Sequence, residues 1–272
     1  MTRKQRETEG GIPLAVTEFH LLSSRSYIFA CASFEGGYEA GEIGIFTFEG
    51  DCTNSPILIA NLELPDLNPG IYITNMIIQA GPFCANPISG TPFSKSNDNR
   101  IYMILLCYGT ENWCRLFVHR RCFHSYVLDV DHVREKTGVT AVPWREWGPQ
   151  NSRLLPGQNH QWNRHVHGER VVLPCVNRKI VQVLDFGIVP ARADSDTVPV
   201  TSTVFSTELH LEPGPPWLDG IFRDTWTTAL PYKSTLRALD EEYDLFLMDQ
   251  DRIIGLRTSE FDPSHRMTVY TF

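Results

Sequence analysis

Short apolar runs joined by polar corners dominate this chain, and the clearest is Tyr243-Asp-Leu-Phe-Leu-Met-Asp-Gln-Asp-Arg-Ile-Ile-Gly-Leu256. Two apolar stretches flank Asp249-Gln250-Asp251, the layout of strand, tight turn and strand. Runs this short cannot bury the stripe of a multi-turn helix, so such a chain must satisfy its backbone by pairing strands. The rhythm recurs in Leu14–Leu22, Tyr27–Phe34, Glu42–Phe48, Pro56–Leu64, Tyr72–Gln79 and Arg100–Tyr108, each rich in β-branched and aromatic residues. Further runs are Cys114–Val127, Thr140–Trp144, Trp162–Leu173, Lys179–Phe186, Val204–Leu211, Thr225–Leu230, Leu236–Met248, Arg252–Arg257 and Met267–Phe272.

Between them, Gly81–Asn99 and Val189–Val200 read as loops, because their prolines and small polar residues exclude regular structure. Asp129–Thr137 reads as one short helical turn. Ser234–Glu242 has helical propensity, yet its flanking strand signals favour an extended course. The expected fold class is all-β: a β-propeller-like repeat of antiparallel hairpins, complete or incomplete, with a two-sheet sandwich as the alternative. Units of roughly 40–50 residues with about four short strands are the mark of a propeller blade. No Trp-Asp dipeptide signs each unit here. Residues 1–11 read as a polar leader and 12–272 as a single β-rich domain.

At 272 residues, with 42% hydrophobic and 21% charged residues, the composition is that of a globular protein with a sizeable core. No apolar run approaches the ~18 residues a membrane-spanning helix needs, so no membrane partner is expected. The basic leader is not followed by an apolar stretch of secretory type. Seven cysteines, an odd number, fit reduced thiols in the cytoplasm or nucleus. A net charge of −8 lacks the basic footprint of a nucleic-acid binder.

The chain contains no Gly-x-Ser-x-Gly elbow, phosphate-cradling glycine loop or His-Glu-x-x-His helix. The expectation is a non-enzymatic protein without cofactors. A glycan-processing enzyme using two carboxylates from distant strands is the alternative, as is a partial propeller without a function of its own. His165 and His167 alternate along a strand and, with His160, could share a metal, although a polar strand face beside Trp162 explains them as well. Cys114, His119, Cys122 and His124 have the ligand types for zinc but neither finger nor ribbon spacing. Asp249 and Asp251 suit turn chemistry better than metal binding. Trp144, Arg145, Trp147, Arg153, Trp162, Arg164, His165 and His167 concentrate the residue types of interface hot spots and form the candidate partner-binding set. Within it, Trp147-Gly148-Pro149 reads as an exposed aromatic corner.

The series Pro143-Trp144-Arg145-Glu146-Trp147-Gly148-Pro149, Ser152-Arg153, Trp162-Asn-Arg-His165-Val-His167-Gly168-Glu-Arg170, Val181–Phe186, Leu230-Pro231-Tyr232, Glu241–Asp244 and Met248–Gly255 resembles the C-terminal β-rich region of F-box proteins expanded in mushroom-forming fungi. The likeness extends more weakly to the N-terminal hairpins. In that family the F-box binds a ubiquitin-ligase adaptor, and the β-rich region is taken to select the protein target. The resemblance thus implies an unidentified protein target as partner. The F-box itself has no counterpart here. Its nearest imitation, Leu64-Pro65-Asp66-Leu67, runs at once into Asn68-Pro69-Gly70, which would stop a helix in its first turn. Adaptor binding is therefore not expected.

Overall fold

The computed structural model describes residues 16–32, 41–48, 56–81, 99–109, 112–128, 140–157, 165–187, 202–205, 209–210, 220–223, 227–249, 252–257 and 266–271. Their architecture is all-β. Sheet I takes β1 (Val16–Leu21), β2 (Ser26–Cys31), β3 (Glu42–Thr47) and β4 (Ile57–Glu63) in chain order, with the short strand β8 (Thr140–Val142) parallel to β4 at its edge. Sheet II is β5 (Ile73–Ala80), β6 (Ile101–Tyr108), β7 (Asn112–His119) and β9 (Ser152–Pro156). Sheet III runs β10 (Val166–His167), β11 (Arg170–Pro174), β12 (Ile180–Asp185), β16 (Tyr232–Ala238) and β13 (Ser202–Phe205). Sheet IV is β17 (Leu245–Met248), β18 (Arg252–Arg257) and β19 (Arg266–Thr271), while β14 (Leu209–His210) and β15 (Thr227–Thr228) form a two-stranded ribbon.

The four larger sheets stack in chain order because the inner ones are apolar on both faces. In β6 every position is buried, as expected of a strand covered on both sides. Its Tyr102, Ile104 and Leu106 join Ile28, Ala30, Ile43 and Ile45 of sheet I in the largest core. Its Ile101 and Met103 point the other way, into Val171, Leu173, Leu184 and Tyr232 of sheet III. Sheet III then turns Val172, Val181 and Val183 toward Phe246, Met248 and Ile253 of sheet IV. Side-chain parity, two residues per repeat, sets which seam each residue joins.

Polar bonds fix the stack in register. The Tyr102 hydroxyl donates to Leu21 O at 2.7 Å, and Arg120 Nε donates to Leu22 O at 2.7 Å. Ile101 N donates to Gly168 O at 2.9 Å across the next seam, and Arg178 reaches Asp244 at 3.3 Å across the third. Leu21 ends β1, Tyr102 is the register partner of Ala80 at the end of β5, and Gly168 follows β10. Arg178, beyond the end of β11 and so beside the start of β10, reaches Asp244 just before β17; β1, β5, β10 and β17 thus run in the same sense. This arrangement is common to an incomplete propeller and to a layered sandwich.

Two helices interrupt strand readings. The run Cys114–Val127 divides into β7 and α1 (Arg120–Leu128). Its neighbour β6 begins at Ile101, opposite His119, and Arg120 N makes the last cross-chain bond to Arg100 O. Among the described residues β6 offers no partner beyond that point, and the chain satisfies its own amides by coiling. The run Thr140–Trp144 likewise stops at Val142, and α2 (Trp144–Asn151) follows Pro143, whose φ of −66° suits a helix entry. Strand β9 was not legible, because Ser152-Arg-Leu-Leu-Pro156 has no alternation and sits between prolines. Ser234–Ala238 is extended, as expected. Leu64–Gly70 is non-helical, Leu67 bridges to Phe222, and Gly70 takes φ +86°. The leader, Asp129–Thr137 and Val189–Val200 lie outside the described residues.

Candidate functional site

Of the predicted partner-binding residues, Trp144, Trp147, Arg153 and His165 are buried packing residues. Trp147 is 1% exposed, and its indole N–H donates to Glu63 O at 2.8 Å. It stands edge-on to Trp144, with ring centroids 4.9 Å apart. Gly148 lets the two indoles approach, since a Cβ there would overlap the Trp144 ring. The expected aromatic corner is thus corrected: Gly148-Pro149 continues a helix, and that helix turns Trp147 inward onto sheet I. Arg153 is also 1% exposed, donates from Nε to Leu230 O at 2.8 Å, and lies over the Tyr232 ring at 5.3 Å. It ties β9 of sheet II to the approach to β16 of sheet III. His165 is buried, His167 is half-buried, and Arg145 is exposed on α2. Trp162 and Arg164 lie outside the described residues.

Between sheets II and III lies a small space of about 10 Å³, lined by Gln79, Leu105, Arg115, His165 and Leu173 among others. Arg115 projects from β7 on the same face as Leu105 and Gln79, and one of its terminal N–H groups donates to Pro156 O at 3.1 Å. Burial lowers its pKa to about 10, which leaves it charged at neutral pH. Among the described residues nothing donates to the buried Gln79 Oε1 acceptor. The space is below the ~300–1,000 Å³ of small-molecule pockets and suits a side-chain tip or a water.

The possible zinc ligands are separated by parity. Cys114 and His119 stand five apart on β7, so Cys114 enters the seam with sheet I and His119 the seam with sheet III. Burial pushes the Cys114 and Cys122 thiols up to about 12, which keeps them protonated. Among the described residues no three His, Cys, Asp or Glu side chains converge. His160 and Asp251 lie outside those residues. Asp249 N donates to Arg252 O at 3.0 Å, a bond of the β17–β18 turn.

His119 carries a pH dependence. Burial, with the nearby Arg121 cation adding to it, lowers its pKa to about 4, and Glu169 stands 3.9 Å from Nδ1. The native state therefore holds a neutral imidazole that the unfolded chain protonates near pH 6.5. Its contribution to stability is full above that pH and is lost as pH falls from about 6.5 to about 4. Urea midpoints measured from pH 7 to pH 4 are expected to decline, and His119→Gln is expected to flatten the part of the slope above pH 5.

A broader feature escaped the sequence reading. On the outer face of sheet I, Tyr27 stacks on Phe46 at 5.2 Å, with Phe19 edge-on at 6.3 Å and Phe48 at 5.4 Å. Phe29 completes the cluster 5.0 Å from Phe46. Gly44 opposite it has no Cβ, which would otherwise meet the Phe29 ring. Phe19 is 64% exposed, and Leu21 and Phe48 are exposed beside it. The available signal was double alternation: in Tyr27-Ile-Phe-Ala-Cys31 one register feeds the core while the other is equally apolar. Comparisons with protein-family models, curated proteins and solved structures give no match.

Proposed function

We propose that this chain is a non-enzymatic protein-interaction module, related to the target-selecting β-rich region of F-box proteins, and that the outer face of sheet I is its docking surface. The observation that carries the reading is the exposure of Phe19, Leu21 and Phe48 at the rim of an aromatic cluster whose Tyr27, Phe29 and Phe46 are themselves buried. Aromatic side chains bury large areas at little entropic cost, which suits them to protein interfaces. Exposed apolar patches of this kind mark interaction sites. The series of landmarks from Pro143 to Gly255 supports the class. Their buried members serve as scaffold, and the contact residues are the aromatics of sheet I. Adaptor engagement is no part of the proposal.

A photoreactive phenylalanine analogue at position 48 tests it. In cells the probe is expected to give a discrete protein adduct that falls at least about ten-fold when Phe19→Glu is added, a change of roughly 1.4 kcal/mol in binding. An unchanged adduct, or none, would remove the docking surface.

A further inference from the structure

Gln79 and Arg115 break an otherwise apolar seam. Across sheet II, Gln79 lies opposite Met103 and Met103 opposite Phe117, while in the next row Ile77 lies opposite Leu105 and Leu105 opposite Arg115. Both rows face sheet III, because Met103 and Phe117 join its core. Gln79 is 7% exposed and Arg115 8% exposed, and both line the space of about 10 Å³ that Leu173 and His165 close from the side of sheet III. The guanidinium donates to Pro156 O and makes no other hydrogen bond or ion pair among the described residues.

We propose that this space is the site of a monatomic anion of the chloride class, held by the guanidinium of Arg115 and the side-chain amide of Gln79. A buried charge needs a counter-charge, because the protein interior screens it poorly. Arg115 stays charged at neutral pH, and the titratable neighbour that acts on it, the Cys114 thiol, stays protonated. No carboxylate among the described residues pairs with it. An anion that accepts from the remaining guanidinium N–H groups supplies the missing charge.

Gln79 fits the part of second donor. Nothing donates to its Oε1, and its Nε2 makes no hydrogen bond among the described residues, so no bond fixes which way round the amide stands. Turned over, it presents Nε2 where Oε1 stood and donates to the anion. The volume sets the class, since about 10 Å³ is roughly one small sphere and too little for a phosphate or sulfate. Met103, Leu105 and Leu173 form the apolar remainder of the wall, and the flexible Met103 side chain can yield to a sphere somewhat larger than water. A water there would satisfy the amide and leave the guanidinium charge unbalanced.

The test is the urea midpoint of the 272-residue chain at fixed ionic strength, with gluconate replaced stepwise by chloride. A ligand that binds only the folded state stabilises it with the logarithm of its concentration, so the unfolding constant is expected to fall by up to about ten-fold per ten-fold rise in chloride. Gln79→Glu, which sets a carboxylate beside Arg115, and Arg115→Met are each expected to abolish that dependence, with near-ultraviolet circular dichroism showing that they fold. If Arg115→Met does not fold, Gln79→Glu decides alone. Crystals soaked in bromide are expected to show an anomalous peak between Arg115 and Gln79. The absence of a chloride response, or a response equal in the parent and Gln79→Glu, would overturn the proposal. A bromide peak without chloride-dependent stability would mark an adventitious ion only, and a water found in its place would assign the space to solvent; either would overturn it equally.

Discussion

Trp147→Ala is expected to lower the stability of the fold by about 3–5 kcal/mol, the cost of emptying a large buried aromatic site. The indole fills the space between α2 and sheet I, supports Trp144 edge-on, and satisfies Glu63 O at the end of β4. Alanine removes all three at once. The urea midpoint should fall, and proteolysis within 140–157 should accelerate. Trp147→Phe restores most of the volume but leaves Glu63 O without its donor, and should recover roughly half of the loss. If Trp147→Ala instead left stability within about 0.5 kcal/mol of the parent, the residue would behave as a surface position, and the placement of α2 would fail.

Arg153→Ala is expected to cost about 2–4 kcal/mol, combining a vacated buried volume with the loss of a charged donor. Arg153 joins sheet II to the Leu230-Pro231-Tyr232 segment that leads into β16, through a carbonyl and through the Tyr232 ring. Arg153→Met separates the two contributions, since methionine fills the channel without donating to Leu230 O. Chemical denaturation of both variants should rank parent, then Met, then Ala. Equal stability of Met and Ala would assign the whole effect to the hydrogen bond. Binding assays with either Trp147 or Arg153 substituted would therefore report unfolding before they reported any contact with a partner.

The hairpin rhythm carried most of the fold. β2, β3, β4, β6, β12 and β18 fall within a few residues of the apolar runs that announced them, because each has turn chemistry at both ends. What could not be read locally was where a strand runs out of partners. Arg120–Leu128 has strand composition, yet it coils because β6 begins at Ile101. The candidate site was less legible for a related reason. Trp and Arg are enriched both at interfaces and in cores, and only the tertiary course of α2 and β9 sends Trp147 and Arg153 inward. The aromatics of sheet I were visible as residues but not as a cluster, since period-two alternation says that two faces exist and not what each one packs against.

Synthesis from the N-terminus gives the order of sheet II a kinetic meaning. Strand β7 emerges with one edge bare, and the strand that covers it, β9, follows only after α1, β8 and α2 have been made. In that interval β8 pairs with β4 and Trp147 reaches Glu63, so the same excursion that seals sheet I delivers the sealing strand to sheet II. A nascent chain halted before Ser152 would expose Cys114–Val118 as an unpaired apolar edge, open to pairing with any neighbour. Completion of β9 is thus the step that closes the open edge of sheet II.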